Sequence, residues 1–306
     1  MRVHVYPTLG DRRLAAVGRS DVQALVTAWS ATAAPRTVQV RYAFLRAMFN
    51  SAVHDGALGK SPCLRINLPE IVPDEVVPLS VAQVRAISDA IEATCRPAVL
   101  VGAGCGLRAS EALGLTLDAV QFLRRELAVR YQLSAKPPWK LVPVKTKGSS
   151  RDVPAPQFAL DALSPLKPGK MLGTLFVRPG LEGEPVSQRM LDLAFADAVD
   201  AVNAEAAKRK RDRKSGRTTE PELPAIPEGT TFHDLRHTYA STLIDGGESV
   251  TVVAARLGHA DPTLTLRTYS HLWPNSADRT RKIVDAAWQI EDRADSMRTE
   301  GEADAR

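Results

Sequence analysis

Apolar residues recur along most of this chain at the spacing of a helix. Val22, Leu25, Val26 and Trp29 share one helical face, and Ser20 followed by Gln23 has the form of a capping box, so a helix is predicted to open at Ser20. Residues 31–35 break the pattern. Val38, Tyr42, Leu45, Phe49 and Val53 then line a longer helix over about 36–54, stopped by Asp55-Gly56. The segment PEIVPDEVVP, ending at Pro78, is rich in proline and acid and reads as an extended linker. Ser80 and Gln83 form a second capping box, opening a helix to about Glu92. A further helix is predicted from Pro97 to Ala103, ended by the glycines that follow.

At Val120 the period changes to that of strands. These are predicted at 120–122, 127–133, 141–146 and 151–154, with the last two paired as a hairpin around residues 147–150. Helical spacing returns over 187–206, opened by Ser187. The run KRKRDRKSGR at 208–217 has no apolar period and predicts a mobile basic loop. Thr231 then caps a helix that Asp245-Gly246-Gly247 ends. A short helix runs to Leu257 with Gly258 as its left-handed terminator, and Asp261-Pro262 starts another. Residues 281–291 suit one more amphipathic helix, and 292–306 a disordered polar tail. The expected fold is mainly α with a small β-sheet (α+β). It comprises a helical domain over 1–69, a linker over 70–78 and a mixed domain over 79–291.

Composition changes this picture little. Over 306 residues, 44% hydrophobic and 25% charged positions are ordinary for a soluble protein with a sizeable core. No apolar run approaches the roughly 18 residues of a membrane span, and the first ten residues lack a signal-peptide core. The three cysteines, Cys63, Cys95 and Cys105, are scattered without CxxC spacing, which argues against a disulfide frame or zinc ribbon and fits a reducing cytoplasm. A net charge of +5 is compatible with nucleic acid but decides nothing alone. Arg36, Arg41 and Arg46 suit a solvated face as well as a phosphate contact.

The chemistry concentrates between Thr231 and His271, where four of the six histidines fall. A helix starting near Phe232 puts His233, Arg236 and His237 on one face near its positive end, a place suited to an anion. Gly258 leaves His259 just beyond a turn, and Tyr269 follows on the next helix, so three elements converge. His233 and His237 have the spacing of a zinc pair, but no glutamate stands as in HExxH and no cysteine is near, which argues against metal. Taken singly, the histidines suit a packed pair and Tyr269 a core tyrosine. Arg108 and Glu111 suit a surface ion pair, and Lys145 and Lys147 solubilising charges.

Taken together, these segments resemble those of the tyrosine recombinase (phage integrase) family. Residues 106–115 (GLRASEALGL) resemble the block with its first catalytic arginine, and His233 to His237 (HDLRH) its HxxR block. Leu257-Gly258-His259 with Tyr269 ten residues on resembles the nucleophile block, and residues 144–154 the hairpin carrying a catalytic lysine. The linker and preceding helices resemble the core-binding domain.

The resemblance implies a site-specific recombinase in which Tyr269 attacks a DNA phosphodiester and forms a covalent 3′-phosphotyrosine. Arg108 and Arg236 would hold the phosphate oxygens and His259 would add a hydrogen bond. His233 would assist proton transfer at the tyrosine, and Lys145, with Lys147 as the other candidate, would protonate the leaving 5′ oxygen. Glu111 would orient Arg108 or a neighbour. No cofactor and no metal are called for. The implied partners are double-stranded DNA, three further copies in a homotetramer acting through a Holliday junction, and accessory DNA-bending or directionality proteins. Against the family pattern most of the first core-binding helix is missing, so either a misassigned start or a truncated N-terminus is expected. A DNA-binding protein of the same fold with impaired recombination therefore stays open, as does a type IB-like topoisomerase. The basic segment 208–217 resembles an insertion before the HxxR block.

Overall fold

A computed structural model of the chain describes residues 2–71, 75–181, 183–272, 280–281, 284–286 and 288. It divides into two compact units, Met1–Asp74 and Glu75–Arg306. The expected tail over 292–306, and most of the helix expected over 281–291, lie outside the described residues. Among these residues no helix is long and apolar enough to cross a membrane.

The first unit holds α1 (Tyr6–Leu9), α2 (Arg19–Ser30) and α3 (Pro35–His54). Helix α2 starts one residue before the predicted cap. Gly18 takes the N-cap position and its N–H donates to the Asp21 carboxylate at 2.8 Å. Gln23 is unavailable for a capping box because its side-chain amide is bonded in both directions to the backbone of Asn67. Pro35 opens α3 instead of breaking the chain, since its missing N–H falls where a helix needs no donor. Val22, Leu25, Val26 and Trp29 pack with Val38, Tyr42, Leu45 and Phe49 in one core, while Val53 is only half-buried. The polar ends of both core aromatics are satisfied, Trp29 by the His4 carbonyl and Tyr42 by that of Cys63.

The second unit begins with α4 (Val81–Ala90), whose capping box is complete: Ser80 Oγ accepts from the Gln83 N–H, and Gln83 accepts from that of Ser80. Helix α5 runs Arg96–Cys105, past the predicted stop at Ala103. Gly102 lies within it because a Cβ there would come within 3.0 Å of both Phe232 and Leu235. The helix ends instead at Gly106, in the left-handed region with φ 64°. Then come α6 (Ala109–Leu113), β1 (Val120–Gln121), β2 (Glu126–Val129), β3 (Tyr131–Leu133), β4 (Leu141–Pro143), β5 (Arg151–Pro154), α7 (Gln157–Leu163), α8 (Gln188–Lys214), α9 (Phe232–Asp245), α10 (Val250–Leu257) and α11 (Pro262–Tyr269). The fold is thus mainly helical with small antiparallel sheets.

The predicted hairpin over 141–154 does not form. Strand β4 pairs with β3 and β5 with β2, so both lie along the preceding strand. Between the pairs Val129↔Arg151 and Tyr131↔Pro143, one side advances two residues and the other eight. The difference, six residues, loops out of the ladder as a short excursion that contains Lys145 and Lys147 and tightens into a 3-10 turn at Lys147–Ser149. The predicted basic loop is also largely helix, because α8 continues to Lys214. Lysine and arginine are good helix formers, a helix C-terminus favours cations, and Arg209 pairs with Glu205 one turn back at 2.9 Å.

The α5 terminator is the most closely approached glycine among the described residues: a Cβ on Gly106 would stand 2.3 Å from Cδ1 of Tyr239. Gly106→Ala should combine left-handed strain of about 1–2 kcal/mol with displacement of that ring, lowering the urea midpoint without changing its slope. An unchanged midpoint would show that the α5–α9 contact yields freely.

Candidate active site

Helix α9 presents the central face. Its N-terminus is capped by Asp234, whose carboxylate accepts from both the backbone N–H and the hydroxyl of Thr231. Acid at this end suits the helix dipole and fixes the start at Phe232, which sets His233, Arg236 and His237 on one face. The guanidinium of Arg236 is 2% exposed. It donates to the Gly106 carbonyl at 2.6 Å and to the Leu257 carbonyl, the final acceptors of α5 and α10. Helix C-termini present unpaired carbonyls and negative dipole ends, so one arginine closes both. Burial and the nearby Arg108 and Arg151 lower its pKa to about 9, which leaves it a cation at neutral pH.

Arg108 sits at the N-cap position of α6, and its guanidinium donates to Glu111 at 2.7 Å. The pair is not the surface contact its spacing suggested, because Glu111 is 1% exposed. Arg151 reaches both oxygens of the same carboxylate, at 2.9 and 3.3 Å, and also donates to the carbonyls of Ser149 and Arg256. Burial alone would raise the Glu111 pKa. The Arg151 hydrogen bond and the charges of Arg151 and Arg108 outweigh it and hold the group below the usual carboxylate range.

His259 follows Gly258, which ends α10 in the left-handed region with φ 66°. Its Nδ1 is 2.8 Å from the hydroxyl of Thr265, itself fully buried on α11. Tyr269, one turn further along the same face, is 2% exposed, and its hydroxyl lies 2.7 Å from Nδ1 of His237. The rings of His233 and His237 meet edge-on at 4.9 Å. The tyrosine hydroxyl's hydrogen-bond partner is therefore His237, a residue the sequence reading had set down as support. His233 lines a cavity of about 500 Å³ with Arg108, Thr231 and the N-terminal part of α8.

Burial first, then surrounding cations, push His233 and His259 down to about 4 and lower His237 as well, so all three are neutral imidazoles at pH 7. Burial pushes the Tyr269 phenol up to about 12, despite Arg236. The arrangement could hold an anion beside a protonated phenol, with neutral hydrogen-bonding groups around it.

The structure thus gathers Arg108, His233, Arg236, His259 and Tyr269. Lys145 is exposed on the six-residue excursion, whose tip abuts this region: a Cβ on Gly148 would lie 3.2 Å from Cα of Ala260. Sequence reasoning set His237 aside as support and overlooked Arg151 and Thr265. Each left a signal. Arg151 shares the inward register of β5 with fully buried Val153, and Thr265 precedes Tyr269 by one helical turn. Among the described residues no group of three or more His, Cys, Asp or Glu stands where a metal would need it.

Residues 78–275 match the model of the phage integrase family. A tyrosine recombinase XerC-like protein of Caldanaerobacter subterraneus subsp. tengcongensis is 26% identical over 256 residues, 78% of this chain and 63% of that protein. The tyrosine recombinase XerD of Pseudomonas aeruginosa is 26% identical over 74% of this chain and 68% of its own length. The transposase of transposon Tn916 from Enterococcus faecalis is 25% identical over 92% of this chain and 70% of its own. The integrase of transposon Tn1549, solved with a circular intermediate DNA, shares the fold with a TM-score of 0.74 at 23% identity, over 94% of this chain and 90% of that one. A lambda integrase tetramer on a Holliday junction matches at a TM-score of 0.56 and 16% identity, over 86% and 67%.

Arg151→Met should cost about 3–5 kcal/mol, the effect of stripping a partner from a buried carboxylate. Adding Glu111→Gln should restore part of that by removing the stranded charge, and denaturant titration of both variants checks it. Because the folded Glu111 pKa is depressed, its stabilisation is present above the ordinary value of 4.5 and is lost as pH falls through the folded value. Glu111→Gln should therefore flatten the acid limb of stability against pH. An acid limb identical to that of the wild type would refute the role given to this carboxylate.

Proposed function

The chain belongs to the phage integrase family, and from that premise we propose that it is a site-specific DNA recombinase, cutting and rejoining double-stranded DNA through a phosphotyrosine. The reading is carried by one observation. A buried tyrosine hydroxyl lies 2.7 Å from a neutral imidazole, beside two arginines held by their own partners. In this reading residues 1–69 are the core-binding DNA domain, 79–291 the catalytic domain, and the protein acts in the cytoplasm as a tetramer on its DNA sites, with accessory DNA-bending proteins where direction is controlled.

Oη of Tyr269 attacks the phosphorus, an O–P bond forms to the 3′ side and the bond to the 5′ oxygen breaks. With its pKa near 12 the phenol keeps its proton at neutral pH, so the proton must leave as the attack proceeds. His237 Nδ1 is placed to accept it, and the negative phosphate raises the basicity of that ring while it is bound. Arg108 and Arg236 meet the non-bridging oxygens, where charge grows. His233 and His259 add neutral hydrogen bonds, and Lys145 gives the departing 5′ oxygen its proton. The energy of the broken ester stays in the phosphotyrosine, so resealing is the reverse of the same steps.

Wild-type protein mixed with nicked duplexes of randomised core sequence should yield a detergent-resistant adduct, and Tyr269→Phe none. An adduct with the phenylalanine variant would overturn the assignment of the nucleophile. Adduct formation should fall about 100-fold or more in His237→Gln, which can hold the hydroxyl but cannot take its proton. Lys145→Ala should be rescued by a 5′-bridging phosphorothiolate, whose sulfur leaves without a proton, and His237→Gln should not. Rescue of Lys147→Ala instead would transfer the proton donor to that residue.

A further inference from the structure

The last two turns of α8 carry their cations in two distinct ways. Arg209 is paired with Glu205 at 2.9 Å and with Glu220 at 3.1 Å. Arg213 donates to the Glu220 carbonyl and faces Glu222. This side of the helix is thereby tied to the returning segment around 220–222. Lys210, Arg211 and Lys214 fall on the other side, within an arc of roughly 100° at 3.6 residues per turn. All three are exposed, and among the described residues no acid stands at ion-pair distance from any of them.

Like charges one turn apart repel, by about 0.2–0.5 kcal/mol per pair, and Lys210 and Lys214 hold that spacing. Acids are available locally, yet Glu205, Glu220 and Glu222 all serve the opposite side. What results is a rigid cationic edge on a helix that elsewhere uses its charges structurally. The start of the same helix borders the active-site cavity through Gln188, Asp192 and Phe195. From Asp192 the rise of 1.5 Å per residue puts Lys210 about 27 Å and Lys214 about 33 Å along the helix. Duplex DNA offers one phosphate per about 3.4 Å of each strand, so along a duplex lying parallel to α8 this reach corresponds to about 8–10 base pairs.

We infer that Lys210, Arg211 and Lys214 form a second, sequence-independent contact with the DNA backbone, outside the catalytic pocket and about 8–10 base pairs from the cut phosphate. The inference rests on the recombinase reading, and its partner is fixed by chemistry. Three exposed, unpaired cations in a line match the regular phosphates of a duplex and need no base readout. Each phosphate neutralised releases counterions, so the contact contributes to the salt dependence of binding and places flanking DNA without altering the chemistry.

The test uses the full chain with Lys210, Arg211 and Lys214 all changed to Gln, and labelled duplexes recovered from the adduct selection. One duplex extends 20 base pairs to each side of the cut and the other only 5. On the long duplex the slope of log affinity against log salt should fall by about 2–3, close to 0.9 for each lost phosphate contact, and affinity should weaken at least tenfold. On the short duplex, affinity and adduct formation should match the wild type, which also shows that the variant folds. An unchanged slope on the long duplex would overturn the inference, and so would equal losses on both duplexes. If the wild type itself forms no adduct on either duplex, the recombinase reading fails instead, a result visible before the variant is made.

Discussion

The junction of three distant segments beside the tyrosine depends on a single carboxylate, that of Glu111, shared by Arg108 and Arg151. A buried charge of this kind is weak evidence of stability, since desolvation consumes most of what the ion pairs return. Its value is geometric. One oxygen orients an arginine that opens toward the cavity. Both oxygens are also bound by Arg151, whose guanidinium reaches the Ser149 and Arg256 carbonyls as well. Three segments far apart in sequence are joined in this way: the turn before α6, the strand β5 and the end of α10. Gly258 belongs to the same arrangement, because a Cβ there would lie 2.9 Å from Arg151. The glycine that delivers His259 is therefore required by φ and by the arginine packed against it.

The electrostatics follow from this skeleton. Arg108, Arg151 and Arg236 share a region in which Glu111 is the buried acid, so positive charge is in excess there. Added to burial, which is the larger cause, it depresses His233 and His259 and lowers Arg236 itself. The positive field exists before any substrate arrives, held in place by carbonyls and a carboxylate. Binding a phosphodiester then requires little reorganisation, which is the condition under which fixed dipoles and charges are most effective. The imidazoles stay neutral for the same reason. Each can donate or accept one hydrogen bond without adding to the repulsion.

Much of this was legible in the chain because it is local. The Ser80–Gln83 capping box, the Gly258 terminator and the Asp261-Pro262 start each depend on a few adjacent residues, and each stands where the pattern put it. What escaped was set by partners distant in sequence. Gln23 was lost to Asn67, so its capping box could not form. Strand β5 found its neighbour in β2 instead of β4, which turned an expected hairpin into a looped-out excursion. The basic run at 208–214 showed no apolar period, yet it continues a helix whose register was set upstream, and its salt bridges reach residues that follow the helix. In the site, the face of α9 was readable from 3.6-residue spacing. Which of its two histidines meets Tyr269 was not, because that depends on how α11 packs across it.

The choice between arginine and lysine at the two kinds of cationic position is itself chemical. Arg236 must bond two carbonyls in different directions while almost wholly desolvated. A planar guanidinium does this and remains charged. An ammonium in the same place lacks two separated nitrogens to span those carbonyls and would tend to lose its proton as burial lowered its pKa. The role given to Lys145 has the opposite requirement. A group that must hand a proton to a leaving oxygen has to be able to lose one, which an arginine in a protein does not. The fold separates the two needs. The arginines stand on helix ends and a strand, locked by backbone carbonyls and Glu111. The lysine stands exposed on a six-residue excursion that interrupts a ladder and rests against the turn after His259. In the proposed reaction a rigid binding site with an exposed proton donor at its margin is what a reversible phosphoryl transfer to tyrosine needs, because the phosphate must stay fixed through both directions while the proton leaves and returns.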